Sequence, residues 1–541
     1  MGMQKSDDEI FLDEVVYSVK ARDFIKTKIL LRESSSVSMS STGKLIEEIL
    51  LCEDSFSIPL LVYIMIYQAE ISTKVPDLEL TLQKRLCSSG DLWSIFQVLT
   101  DLNEKCCFID NLVDRDDEEG CAMLIKLVRE ETDLRIIKSV LKVMAEQKRS
   151  QYAPFIADFL YSENHELVSQ ALETLGSCAT DLAVDAMVSR SGADSRLDRQ
   201  IVDNLKRIAS DKSIKALVNF LSSGISSLRN NARKVLAELK EISVPYLLDS
   251  LHSRNPNIVI VTLNILGETG VREAVKPVRQ LIQSMPEDAN IRFAAYEALG
   301  LLPCKTGAYT LTHGLLDSDE GVRTAAAKAV NQQYDHLFER GVLNLFEIKE
   351  NRELITDALL TAESNRVISS MVHNPDFHQC AVKILKARRE KDLIEFYMGF
   401  AKNINLSCDI SLKKKVSEKP GKNAVYVVDD SRLLLKIYRK FLTELNVDFH
   451  LFEFAEAALD QAAREKPSLI LTDLNMPGMD GIEFTGKVRE LYSEKELPIV
   501  MVTTQDEEAD RSAALKAGVQ DYLHKPFNKS GIEMVLKRYL K

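Results

Sequence analysis

Three aspartates and a lysine stand where the sequence could do chemistry. Asp429 and Asp430 directly follow the apolar run Ala424-Val425-Tyr426-Val427-Val428, Asp473 ends Leu469-Ile470-Leu471-Thr472, and Lys525 precedes Pro526 after a further run. An acid that ends a buried strand lies at the mouth of a sheet. Three carboxylates gathered on one rim repel one another, which calls for a divalent cation. Thr503 brings a hydroxyl to the end of another run. An Asp-Asp pair alone is ordinarily a solvated loop; its combination with Asp473, Thr503 and Lys525 singles it out.

The elements that must position these groups follow from periodicity. From about Asn423 to Lys541, short apolar runs alternate with amphipathic stretches, the pattern of successive βαβ units. Strands are expected at 424–428, 448–452, 468–472, 498–503 and 520–524, with helices near 431–445, 455–465, 481–492, 506–517 and 528–540. Right-handed crossovers make the sheet parallel. A doubly wound sheet takes its ligand outside the carboxyl ends of the strands, where strand order reverses, and Asp430, Asp473, Thr503 and Lys525 fall at such ends.

The acidic pair, the turn Asp473-Leu474-Asn475-Met476-Pro477-Gly478-Met479-Asp480-Gly481, Thr503, Tyr522 in the last strand and Lys525-Pro526 occur in this order. Together they resemble the response-regulator receiver domain, close in pattern to the single-domain chemotaxis regulators. The resemblance implies a (βα)5 flavodoxin-like fold in which Asp473 attacks the phosphorus of a phosphohistidine on a histidine kinase or phosphotransfer protein. It implies Mg²⁺, a hard ion that takes few carboxylates, held directly by Asp430 and Asp473, through water by Asp429, and by the backbone carbonyl of Asn475. Lys525 would contact the phosphoryl oxygens as a point charge. The Thr503 hydroxyl would move to the phosphoryl group and Tyr522 would turn inward, changing the surface of the fourth helix, fifth strand and fifth helix. Thr504 stands where the family usually has Ala or Gly, which implies a narrower approach, slower phosphorylation by small donors and slower hydrolysis.

Residues 1 to about 404 show almost no strand alternation; apolar residues recur at helical spacing, as in Leu167, Ala171, Leu172 and Leu175. The region repeats. Equivalent apolar positions at Met144, Leu175, Leu205, Leu236, Leu266, Leu299 and Val330 are separated by 31, 30, 31, 30, 33 and 31 residues, the long step falling at an expanded turn, Ser284 to Asp288. Asp288 and Asp319 open helices, with Arg292 and Arg323 one turn in, a polarity that helix capping favours. These units resemble short HEAT-like repeats, in which helix pairs stack into a solenoid because no single unit buries its apolar face. The expected organisation is a multidomain chain, an all-α HEAT-like solenoid followed by the doubly wound domain. Its parts are an irregular helical region at 1–117, repeats at 118–335, a helical cap at 336–404, a Lys-, Ser-, Pro- and Gly-rich linker at 405–422, and the receiver-like domain at 423–541.

A second active site is not expected. His165-Glu166 is the only His-Glu pair and reads as a solvated turn; no HExxH, phosphate-binding glycine loop or nucleophile elbow appears. No kinase ATP region or phosphotransfer histidine is evident, so the donor is expected to be another protein. The net charge of −12 and a pI near 5.4 argue against a general nucleic-acid binder. Nine scattered cysteines without Cys-x-x-Cys suit reduced thiols in a cytoplasm, Met1 to Asp8 is too polar for a signal peptide, and Ile58 to Ile66 is too short for a membrane span.

The reading that follows is a cytoplasmic, bacterial-type two-component regulator and not an enzyme on a separate substrate. Mg²⁺-dependent phosphorylation of Asp473 would control a repeat scaffold that binds a protein partner on its concave face. In the alternative, the repeats recruit the receiver to a kinase or chemoreceptor complex, where it acts as a phosphate sink or competitor. An enzymatic repeat region would require a cofactor that copurifies with residues 1–404.

Overall fold

Uninterrupted apolar runs make the buried central strands of a parallel sheet. In this computed structural model, which describes residues 7–33, 39–75, 77–304, 307–403, 424–474, 476, 478–503, 508–525 and 527–540, the runs form β1 (Val425–Val428), β3 (Leu469–Asp473) and β4 (Ile499–Thr503), buried throughout except at Asp473. With β2 (Phe449–Phe452) and β5 (Asp521–His524) they build one parallel sheet in the order β2-β1-β3-β4-β5. Strand order reverses between β1 and β3. Their register pairs Val428 with Thr472, so Asp429 and Asp473 follow at the same level.

The two-residue period of each strand divides its side chains between two helical layers. Tyr426, Val428, Ile470 and Ile499 meet Ala458, Ala462, Phe484 and Val488 from the helices Ala455–Arg464 and Gly481–Leu491. Val425, Val427, Leu471 and Val500 meet Ile437, Phe441, Ile532 and Leu536 from Arg432–Glu444 and Lys529–Tyr539. Ala514, from the helix described as Glu508–Ala517, closes a smaller cluster with Leu474, Met501 and Val519. The observed ends lie within one residue of the expected ones, while the expected helix start at 506 lies outside the described residues. β3 runs one residue further than expected, so Asp473 belongs to the strand itself.

By its contacts the chain divides into two compact units, Met1–Ala216 and Leu217–Lys541. The break falls inside the repeats, and the sheet shares the second unit with the repeats before it. The expected divisions at 117/118 and 335/336 lie between consecutive helices; the expected linker at 405–422 lies outside the described residues.

In the first unit, Leu134–Gln147, His165–Cys178 and Ser195–Ile208 are successive repeat helices whose first turns are capped by the side chains of Asp133, Asn164 and Asp194. In the second, Ser226–Glu238, Pro256–Thr269, Ala289–Leu301 and Glu320–Gln333 pack each against the next. Met144, Leu175, Leu205, Leu236, Leu266, Leu299 and Val330 are all 0% exposed, which makes the sequence period the period of burial.

Asp288 and Asp319 cap their helices as expected, accepting from Asn290 N at 2.8 Å and Val322 N at 3.0 Å. The arginines do something else. Arg292 donates to the carbonyls of Pro286 and Glu287 and pairs with Asp317, and Arg323 donates to the carbonyls of Asp317 and Ser318, so both pin the preceding turn. His165-Glu166 is the exposed first turn of a helix, with Glu166 paired to Lys138. Ile58 to Ile66 lies within the helix Asp54–Tyr67, and no helix among the described residues is long and apolar enough to cross a membrane.

Candidate functional site

The loop after β1 is held by its own acid. Asp429, 1% exposed, accepts from the Ser431 backbone N at 2.9 Å, and the Ser431 hydroxyl caps the helix Arg432–Glu444. After β3, Asp473 Oδ1 accepts from Leu474 N at 2.8 Å, and Gly481 N donates to the Leu474 carbonyl at 2.9 Å. A Cβ on Gly481 would lie 2.2 Å from the Asp473 carbonyl oxygen, so only glycine lets the turn close this tightly. Asp480 then starts the next helix by accepting from Ile482 N and Glu483 N.

Lys525 comes to the site from the end of β5, where its backbone N donates to the Thr503 carbonyl at 2.9 Å. Its Nζ lies 2.7 Å from Asp429 Oδ2 and 3.1 Å from Asp473 Oδ1. Asp429, Asp430 and Asp473 offer carboxylate oxygens that all lie within 4.8 Å of one another. The fold therefore brings together all four charged groups singled out in the sequence.

Burial pushes the Asp473 carboxyl up to about 7; Lys525 opposes the rise, and Asp429 and Asp430 add to it. Asp430 is raised for the same reasons, burial first and Asp429 next, against Lys525 and Arg233. Burial works against the Lys525 charge, yet the carboxylates of Asp429 and Asp473 hold its ammonium well above the ordinary lysine range. Three hard oxygen donors, close and under mutual repulsion, fit a small divalent cation such as Mg²⁺. Asn475, expected to add its backbone carbonyl, lies outside the described residues, as does Thr504.

Thr503 ends β4 with 2% of its surface exposed. Tyr522 is half-buried on β5 and packs on the cluster of Leu474, Met501, Ala514 and Val519.

A cavity of about 910 Å³ opens in front of the site. One wall carries Asp429, Asp473 and Lys525, and the other belongs to the repeats, with Arg233, Asn290 and Phe293. The Asn290 side-chain amide donates to the backbone carbonyl of Lys525, and Phe293 packs on the receiver core.

Sequence reasoning missed the outer face of the Arg432–Glu444 helix. Lys436 pairs with Glu363 at 2.7 Å, Arg439 with Asp392 at 3.2 Å, and Lys440 with Asp357 at 2.8 Å and also with Glu320. Lys440, 7% exposed in its side chain, shares Asp357 with Arg388, which stands 3.1 Å away. The available signal was the helical spacing of residues 436, 439 and 440.

The family model for the response regulator receiver domain matches residues 425–537, and the model for HEAT repeats matches 244–331. A chemotaxis protein CheY homolog of Campylobacter jejuni is 42% identical over 103 residues, covering 19% of this chain and 79% of the homolog. The transcriptional regulatory protein ResD of Bacillus subtilis is 33% identical over 124 residues, 23% of this chain and 50% of ResD. Among solved structures, chemotaxis protein CheY4 of Vibrio cholerae is 30% identical, with 22% of this chain and 98% of that one covered and a TM-score of 0.21. The likeness to the CheY homolog and to ResD thus concerns about a fifth of this chain, and half of ResD has no counterpart in the matched region.

Proposed function

We propose, on the premise that the chain belongs to the response-regulator receiver family through residues 425–537, that Asp473 is a phosphoacceptor whose state sets how the receiver sits against the HEAT repeats. The observation that carries this reading is the shared cavity, which the acidic site and the repeats line together. The Asp473 carboxylate attacks the phosphorus of a phosphohistidine, a P–O bond forms as the P–N bond breaks, and the donor imidazole leaves with the bonding pair and takes up a proton. Asp429, Asp430 and Asp473 would hold Mg²⁺, which when bound supplies the positive charge that three carboxylates and a phosphoryl dianion require. Lys525, already against two of the carboxylates, supplies a fixed ammonium on the same rim.

The Thr503 hydroxyl then turns to the phosphoryl oxygen, and Tyr522, packed on the cluster around Met501, turns inward to fill the space the hydroxyl leaves. Reversing the balance between two packings takes roughly 5.5 kcal/mol of differential stabilisation. In this reading the protein is a cytoplasmic, bacterial-type signalling module, and its repeats bind a protein partner. Docking favours this reading over a phosphate sink, because a sink needs only the receiver's chemistry.

The test is small-angle scattering of the full chain with Mg²⁺, with and without the phosphoryl mimic beryllofluoride, alongside Asp473→Asn. A change in dimensions that the mutant lacks supports the reading. No change, with beryllofluoride bound, refutes it.

A further inference from the structure

The repeats hold the receiver by the edge of its phosphoacceptor site. Lys440 is buried between Glu320 and Asp357; Lys436 and Arg439 extend the same basic face to Glu363 and Asp392. The Asn290 amide bonds to the backbone of Lys525, the lysine whose Nζ touches Asp429 and Asp473. Phe293 adds an apolar contact to the receiver core. The loop between β1 and the Arg432–Glu444 helix thus lines one cavity with repeat residues, and Asp473 lines the same cavity.

Two kinds of donor meet this arrangement differently. A small phosphorylated molecule fits within about 910 Å³. A phosphohistidine on a folded protein needs the surrounding surface, and a specific protein interface covers roughly 800 Å² on each partner. Here that surface is already bonded to the repeats through Lys436, Arg439, Lys440 and the Lys525 backbone.

We propose that the repeats sort phosphodonors by size: docked, they admit a small donor to Asp473 and exclude a macromolecular one, which gains access only when the basic face of the Arg432–Glu444 helix leaves its acidic partners. The inference rests on Asp473 being the phosphoacceptor. Release of the repeats and access of a protein donor are then the same event, and a partner that draws Glu363 and Asp392 away opens the site.

The test compares two donors with the same leaving group on the full-length protein with Mg²⁺: free phosphoimidazole, and phosphoimidazole on a short tether to a dextran carrier. Labelling of Asp473 is read by mass. The variants are the reversal Lys436→Glu with Arg439→Glu, and that reversal combined with Glu363→Lys and Asp392→Lys; both pairs are partly exposed, so folding tolerates the changes. Wild type should label with the free donor and discriminate against the carrier by roughly tenfold, the reversal should remove the discrimination, and the combined swap should restore it. An equal donor ratio in wild type and reversal overturns the proposal, as does a reversal that leaves the scattering dimensions unchanged. Failure of free phosphoimidazole to label Asp473 in any form would instead overturn the phosphoacceptor assignment.

Discussion

Asp473→Asn should stabilise the receiver when divalent cations are removed, and the size of the effect follows from the site. Burial and the neighbouring carboxylates raise the Asp473 carboxyl from 3.8 to about 7 in the folded chain. An acid whose folded pKa lies above its unfolded value binds more protons in the native state between those two values, so stability falls as pH rises through that window. Below about 4 the penalty is absent, and above about 7 it is complete. A separation of about 3 units at roughly 1.4 kcal/mol each sets a ceiling near 4 kcal/mol. The attraction of Lys525 is already contained in that net shift, so the expected gain at pH 8 is a few kcal/mol, up to that ceiling.

The assay is hydrogen exchange of amides in β1, β3 and β4, with added urea and EDTA, which reports the opening free energy of the sheet without requiring the whole chain to unfold in one step. The wild-type value should fall between about pH 4 and pH 7 more steeply than that of the mutant, in which the raised Asp430 still titrates, and saturating Mg²⁺ should narrow the gap by stabilising wild type more than the mutant. Parallel pH profiles for the two proteins would refute the reasoning, because the repulsion assigned to Asp473 would then be absent.

Gly481→Ala places a methyl 2.2 Å from the Asp473 carbonyl oxygen and 2.9 Å from Met501 Sδ, so the turn must open; a loss of about 1–3 kcal/mol in sheet stability, by the same exchange measurement, and reduced labelling of Asp473 are expected. Leu299→Ala removes a fully buried side chain from a repeat helix and should lower stability by about 3 kcal/mol, with protection lost in Ala289–Leu301 and its neighbours. Lys440→Met keeps the length of the buried side chain but leaves Glu320 without this partner and Asp357 with Arg388 only. Docking should weaken by about 1–2 kcal/mol, seen as faster exchange across Arg432–Glu444 with the strands unaffected.

Local chemistry made the receiver legible. The apolar runs of β1, β3 and β4, helices of 3.6 period and acids at strand ends each follow from a few neighbouring residues, and right-handed crossovers leave few ways to connect them. The site could therefore be read as Asp429, Asp430, Asp473, Thr503 and Lys525, because topology sends the ends of β1 and β3 to one place. The repeats were legible for a related reason: each unit must bury the same face, so Leu175, Leu266 and Val330 recur in step.

What lies in front of Asp473 required tertiary structure. Lys440 meets Glu320 and Asp357 across 120 and 83 residues, and Asn290 meets the Lys525 backbone across 235. No local period encodes which acid a lysine will meet, since any of the chain's 81 acidic residues could serve until packing selects a few. Local patterns in the sequence were enough to read the two folds and to pick out the charged residues at the strand ends. Only the packing of the Arg432–Glu444 helix against the repeats put a cavity lined by both in front of these residues, because the charge complementarity joins residues far apart in the chain.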